Sequence, residues 1–380
     1  MRILIVGGGI AGLTLAAKLR QQGRTPVVIE KTHEYTDIGY GIGLYPLGSC
    51  VLHGLGVYDD LVACGLEVQR YEIADHTGEV LQSLDMSVLT NEIGPMYMLA
   101  RTALIDLLRK ACGDLPIRMG TTVSKVEQTD ETVHTTFSDG TQGEFDLVVS
   151  CDGIHSDMRK QVFGAGEKFD SEWTCWTWWG SGDLFPPELV REYWGRGWFF
   201  GGYPAPDRRM YCAGLPTKVV GDEHAPDDVV RGALTTHLAE LTGNDQAVAQ
   251  ALDEAPKLFP WPMYDVRMEH WTKGRVVLCG DSGMAFLPTA GVGASNAMRS
   301  AAALADELSR ADAQLVPLAL ELYEKRCYKI VKANQNDSRT AGRMMFVDSS
   351  ALGWGRDQLV KHVSASAFIG SIIKSMKEPF

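Results

Sequence analysis

An α/β chain, in which a parallel sheet is interrupted by an antiparallel one and closed by helices, is predicted by three features of the sequence. A short aliphatic run, Ile3 to Val6, leads straight into Gly7-Gly8-Gly9-Ile10-Ala11-Gly12 and a helix-forming segment. Two further aliphatic runs, Phe145 to Cys151 and Gly274 to Cys279, are each followed within two residues by an aspartate. Between them lies a stretch of strand-like pieces broken by prolines, and it carries six of the nine tryptophans.

Composition sets the bounds. The 380 residues, 45% of them hydrophobic, suffice for one large domain or two interlocked ones. Charged residues at 22% are ordinary for a folded soluble chain. A formal charge of -12 argues against a broad nucleic-acid or anionic-membrane surface, while leaving room for a local phosphate pocket. The eight cysteines are dispersed, with no C-x-x-C and no His/Cys cluster at zinc spacing, so no metal site is expected. Reduced, buried thiols and a cytoplasmic location follow from that usage. No apolar run approaches the ~20 residues of a membrane span, and the apolar start runs into glycines rather than a cleavage site.

Taken in order, Ile3 to Val6 reads as a strand buried on both faces. Gly7, Gly9 and Gly12 fit G-x-G-x-x-G, and Leu13 to Gln22 has helical periodicity. The first glycine permits a tight turn, the second lets backbone approach a pyrophosphate, and the third lets helix and strand pack closely. A second strand, Pro26 to Ile29, ends in Glu30, eighteen residues past Gly12, where an acid can accept from ribose hydroxyls. The motif in this context is Rossmann-like and points to a dinucleotide, either NAD or FAD. The run Phe145 to Cys151 is followed by Asp152-Gly153-Ile154-His155-Ser156-Asp157-Met158-Arg159. The run Gly274 to Cys279 is followed by Gly280-Asp281, a glycine loop reaching Ser295, and an alanine-rich helix from Asn296 to Leu308. A carboxylate at a strand end, followed by a loop opening a helix, can hold a sugar hydroxyl and aim N–H groups at an electron-rich ring.

The middle of the chain alternates. Trp176 and Trp178 share one strand face, and Cys175, Thr177 and Trp179 the other. Trp198 to Pro204 and Met210 to Gly214 continue the strands, and Val229 to Leu241 reads as a helix. Large aromatics are core material first, with at least one expected to line a pocket. No G-x-S-x-G and no H-E-x-x-H is present, so hydrolase and metalloprotease chemistry have no support. The nine histidines are scattered, with His155 singled out only by its place in the Asp152-Gly153 motif.

In these motifs the chain resembles the single-component (class A) FAD-dependent aromatic monooxygenases of the para-hydroxybenzoate hydroxylase type, from Met1 to about Arg343. The resemblance implies an FAD site. Asp152, Gly153, Ser156 and Arg159 match the family's D-G-x-x-S-x-x-R, where flavin and nicotinamide cofactor meet. Gly280-Asp281 match the G-D pair on ribityl and pyrophosphate oxygens. The segment Gly39-Tyr40-Gly41-Ile42-Gly43-Leu44 is similar to the loop passing the isoalloxazine, and Arg101 to an arginine contacting FAD. The loop Gly291, Val292, Gly293, Ala294 and Ser295 would face the reduced ring. With Gly7, Gly9, Ala11, Gly12, Glu30 and Lys31, these are the expected cofactor residues, Gly41, Ile42 and Gly43 being those of the ring loop. Tyr323-Glu324-Lys325-Arg326 resembles the helix that closes the fold. Members commonly read G-D-A-A-H where this chain has Ser282-Gly283-Met284, and an asparagine where it has Ser295.

The implied architecture is a Rossmann-like FAD-binding domain (1–70, 97–170 and 263–343) with an inserted antiparallel-sheet substrate domain (71–96 and 171–262). A C-terminal helical segment, 344–380, follows, with helices at Leu359 to Ser364 and Phe368 to Met376. The implied function is hydroxylation of an aromatic or polyketide-like small molecule with NADPH or NADH and dioxygen, through a C4a-hydroperoxyflavin. The flavin carries the chemistry, so no catalytic side chain is named. Trp178, Tyr203, Pro288 and Thr289 are the expected substrate contacts, in a monomer or homodimer that engages neither nucleic acid nor membrane. Two other readings fit the same motifs: a flavin dehydrogenase or reductase, and a non-catalytic flavin- and metabolite-binding protein.

Overall fold

A computed structural model describes residues 1–35, 40–221 and 223–364, and of the C-terminal stretch residues 367, 370, 373, 376 and 377. Gly39, Asp222 and most of the expected helix from Phe368 to Met376 lie outside the described residues.

The aliphatic run Ile3–Val6 is the central strand of a six-stranded sheet. Leu147–Ser150 and Val27–Ile29 pair with it in parallel, and Val276–Leu278 pairs in parallel with Leu147–Ser150. Ile117–Arg118 and the antiparallel Thr272–Lys273 form the edges. Both faces are covered, which is why these strands lack polar alternation. Ile3 and Ile5 pack toward the helices Ile10–Gln21, Arg101–Cys112 and Gly293–Ser309. Leu4 and Val6 pack against a small antiparallel sheet of Val123–Gln128, Val133–Phe137 and Gln142–Phe145. Register sets Val6 opposite Ser150 and Ser150 opposite Leu278, so all three motif-bearing strands end side by side.

A seven-stranded mixed sheet runs in the order Phe259–Arg267, Glu167–Gly180, Arg209–Pro216, Phe199–Pro204, Leu189–Trp194, Arg70–Ala74, Val80–Asp85. The tryptophan alternation of the sequence sorts onto its two faces. Trp176 and Trp178 pack with Tyr193, Phe200 and Tyr211 under helices Asp227–His237, Ala239–Asn244 and Gln246–Asp253. Trp173, Cys175, Phe199 and Cys212 form the opposite face, against Leu287 and Met345 of the parallel unit and its closing helix. A three-stranded sheet, Gly41–Leu44, Tyr97–Ala100 and Leu66–Glu67, joins the two units.

The helix Val316–Met345 spans roughly 45 Å at 1.5 Å per residue and closes the fold. Ser350–His362 follows, starting nine residues earlier than the expected Leu359. Four expected boundaries fall inside continuous elements. Arg70–Ala74, Glu167–Gly180, Phe259–Arg267 and Val316–Met345 each cross one, because hydrogen-bonded ladders and helices run through the joint between the units. Among the described residues, no helix is long and apolar enough to cross a membrane.

Candidate functional site

Strand, turn and helix at the N-terminus form a cradle whose glycines have different tasks. The Gly7 N–H donates to the Ile29 carbonyl at 2.8 Å, and Gly7 adopts φ +107, where a side chain would collide with the Cys151 carbonyl. A side chain on Gly12 would fall on the Gly7 carbonyl oxygen. Gly9 is the reverse case. It caps the helix Ile10–Gln21, and nothing lies within 4 Å of where its Cβ would be. With no side-chain cap, the first N–H groups of that helix face this open space, as an anion requires. Glu30 sits over the turn. Its Oε2 accepts from the Gly8 N–H at 2.7 Å and its Oε1 from the Thr32 N–H at 3.0 Å, while Lys31 is exposed.

The two strand-end aspartates separate. Asp152 turns inward, accepting from the Ser150 hydroxyl at 2.5 Å and the Met158 N–H at 3.2 Å. Ser156 caps the short helix Asp157–Val162 through the Arg159 N–H. The buried Arg159 guanidinium donates to Ser282 O at 2.8 Å and Ile154 O at 2.7 Å. Asp152 thus braces its own loop, each oxygen taking one adjacent donor, and the space beside Gly153 is open. Asp281 has no hydrogen bond or ion pair with any described residue. It is open to solvent yet sits deep among protein atoms, and the lost hydration pushes its carboxyl up to about 6. Gly280 brings it to the cradle: at φ +66, a Cβ there would lie 2.6 Å from the Ala11 Cβ.

A second helix N-terminus faces the same cleft. Gly293–Ser309 begins without a side-chain cap, and the space beside Gly293 is open. Ser295 is buried, and its hydroxyl accepts from the Tyr45 N–H at 3.1 Å, so its side chain pins the loop rather than facing the cleft. Gly41, Ile42 and Gly43 lie on a strand paired with Tyr97–Ala100. Arg101 opens its helix with the guanidinium 5.8 Å from the Tyr40 ring centre and no acidic partner among the described residues. Tyr40 in turn packs on Trp261 at 4.8 Å. Pro288 and Thr289 form a half-buried turn fixed by the Thr289 hydroxyl to Ser338 O at 2.6 Å.

Of the expected substrate residues, Tyr203 lies on the sheet face turned toward this turn, against the apolar cluster that includes Leu287. Trp178 does not. It is 0% exposed, its indole N–H donates to Ala251 O at 2.9 Å, and it faces the helical layer. Alternation puts its neighbour Trp179 on the other face, half-buried against Gly41, with the Arg208 guanidinium 4.1 Å over its ring. Trp179, Tyr71 and Glu192 on that face were missed. The signal for them was the strand alternation, once the direction of each face is known. His155 is within hydrogen-bonding reach of the Tyr264 hydroxyl, and burial and then Lys31 lower its pKa. Asp75, His76 and Asp357 also gather within 4.8 Å. Asp75 Oδ1 accepts from Thr77 and Glu79, and Asp357 is bound by Arg356, so these oxygens serve the fold.

Open space at Gly9, two uncapped helix N-termini and an unpartnered carboxylate between them fit a dinucleotide with a diphosphate, a polyhydroxy chain and an electron-rich ring. The sequence profile described as FAD binding domain matches residues 1–338. The 2-heptyl-3-hydroxy-4(1H)-quinolone synthase of Pseudomonas aeruginosa is 30% identical over 366 residues, covering 96% of this chain and 94% of that protein. Aurachin C monooxygenase/isomerase of Stigmatella aurantiaca is 28% identical over 374 residues, with 96% and 95% covered. Among solved structures, Klebsiella pneumoniae HpxO complexed with FAD and uric acid superposes with a TM-score of 0.89 at 23% identity, over 99% of this chain and 96% of that one. Cradle, profile and full-length relatives agree, and the chain belongs to the FAD-binding-domain family, as an FAD-dependent monooxygenase of the para-hydroxybenzoate hydroxylase-like superfamily.

Proposed function

We propose that this enzyme uses NADPH or NADH and dioxygen to hydroxylate an aromatic, N-heteroaromatic or polyketide-like small molecule held between the seven-stranded sheet and the cofactor. The observation that carries this reading is the convergence of Gly9, Asp281 and the Gly293 helix start on one cleft, whose far wall is the aromatic sheet face. The quinolone named for the Pseudomonas relative supports a flat heteroaromatic substrate.

FAD, when bound, supplies hydride acceptance from the nicotinamide and activation of dioxygen. The chain's own residues bind, orient and exclude water. N–H groups at the Ile10 helix start would hold the diphosphate, with Arg101 as the cation available to it. Ionised Asp281 would accept from sugar-chain hydroxyls. The N–H groups at Gly293 and Ala294, at the positive end of a seventeen-residue helix, would stabilise negative charge on the reduced cofactor. Pro288, Thr289 and the aromatic sheet wall the reaction space from water, which limits unproductive loss of reduced oxygen.

Purified protein should be yellow, with a band near ~450 nm from bound flavin. Candidate aromatics should stimulate NAD(P)H consumption and yield a product carrying one atom from labelled dioxygen. NAD(P)H oxidation that never labels a product would favour the dehydrogenase reading instead. FAD and ligand binding without NAD(P)H consumption would favour the binding-protein reading.

A further inference from the structure

One buried acid has no part in the cofactor cradle. Glu192 stands on the strand Leu189–Trp194, sharing with Val190 and Trp194 the face turned to the parallel unit. It is 3% exposed and has no ion pair with any described residue. Its Oε2 accepts from the Trp194 indole N–H at 2.9 Å, and its Oε1 from the Tyr203 hydroxyl at 2.6 Å. The Tyr71 hydroxyl, on the adjoining strand, is within hydrogen-bonding reach of the same carboxylate. Tyr45 and Cys212 are the other titratable groups that feel its charge, and among the described residues no lysine or arginine faces it.

The polarity of this network is set by chemistry. An indole N–H can only donate, so the carboxylate accepts, and the phenols direct their single hydrogens to it as well. What the phenol oxygens then present to their other neighbours is lone pairs alone. Tyr71 and Tyr203 are half-buried, so each keeps some surface outside this network. Tyr203 packs against the cluster that holds Leu287, the residue before the Pro288–Ala290 turn, and both it and Val292 pack against the cluster of Tyr45, Met96 and Met98. Burial pushes the Glu192 carboxyl up while the hydrogen bonds from Tyr203, Tyr71 and Trp194 favour its anion, so the floor of the substrate space is acceptor-rich, and a carboxylate brought there would set lone pairs against lone pairs.

Building on the monooxygenase reading of this cleft, we propose that Glu192, acting through Tyr71 and Tyr203, selects an uncharged aromatic substrate bearing an N–H or O–H donor and rejects carboxylates. Glu192 is a positioning residue, since the phenols and not the acid would touch the ligand.

The test titrates FAD-loaded enzyme with 4-quinolone, N-methyl-4-quinolone and quinoline-4-carboxylate, following the flavin absorbance. The N–H compound should bind about tenfold more tightly than its N-methyl analogue, the worth of one hydrogen bond at about 1.4 kcal/mol. The carboxylate should bind weakest. In Glu192→Gln the amide donates to the phenol and frees its hydrogen for the cleft, so the gap should narrow to about threefold or less and the carboxylate should gain. Tyr203→Phe should narrow the gap with the acid retained. Equal affinities, a preference for the carboxylate, or no binding of any probe to the wild-type holoenzyme would overturn the proposal. So would an unchanged ranking in a Glu192→Gln protein that retains FAD. If that variant loses FAD, the wild-type ranking and Tyr203→Phe decide. A correct ranking without labelled product would overturn the monooxygenase reading alone, and labelled product with the wrong ranking would overturn only this one.

Discussion

Asp152 and Asp281 follow similar buried strands and stand in opposite electrostatic situations. Donors from Ser150 and Met158 satisfy the first, whereas nothing satisfies the second. The Asp281 carboxyl, at about 6 against an ordinary 3.8, binds its proton more tightly in the fold than in the unfolded chain. Its contribution to apo stability is therefore fully present below about pH 4 and is lost as pH rises through about 6. FAD affinity should run the other way, tightening between about pH 5 and pH 7 as the acceptor ionises. Asp281→Asn should bind FAD more weakly with a flat pH profile, and its apo form should gain stability at neutral pH. Calorimetric titration and thermal melts at several pH values check both, and a flat wild-type profile would remove Asp281 from the site. The glycines give a second contrast. Gly9→Ala meets open space, so the apo melting temperature should hold within about 2 °C while FAD affinity falls at least about tenfold. Gly12→Val strikes the Gly7 carbonyl, so it should lose both stability and cofactor.

At the scale of single elements, the strand Glu167–Gly180 assigns different roles to neighbouring indoles. Trp178→Ala should cost about 3–5 kcal/mol of stability, because it empties a packed site under the helices. The surviving folded fraction should keep a normal KM. Trp179→Ala, on the cleft-side face, should shift KM for an accepted substrate with a smaller loss of stability. Denaturant titration beside steady-state kinetics separates the two, and a KM change in the Trp178 variant would show that the faces are assigned the wrong way round. The strand's alternation was legible in the sequence, since period two follows from the pleat. Which face meets the cofactor was not, because that depends on the helices Asp227–Asp253 covering one side.

Over the whole molecule, the inserted sheet is tied to the closing helix by a bidentate pair. Arg339 donates to both oxygens of the fully buried Asp265, at 2.7 and 2.8 Å. Removing the cation leaves the buried carboxylate without its two hydrogen bonds and with Arg267, 3.9 Å away, as its remaining cation, so Arg339→Ala should cost about 3 kcal/mol, and adding Asp265→Asn should recover part of it. Chemical denaturation of the single and double variants checks this, and additive losses would deny the coupling. The sequence by itself determined the parallel core, the Gly7–Gly12 turn with Glu30, and the two strand-end aspartates, because short-range sterics and periodicity write themselves into adjacent residues. Only the tertiary structure decided that Asp152 braces while Asp281 stays free, that Trp178 turns away from the cleft, that Ser295 pins a loop, and that Glu192 lies beneath it. Each of those outcomes depends on which donors, helices or phenols arrive from distant parts of the chain, and no local spacing encodes the arrival.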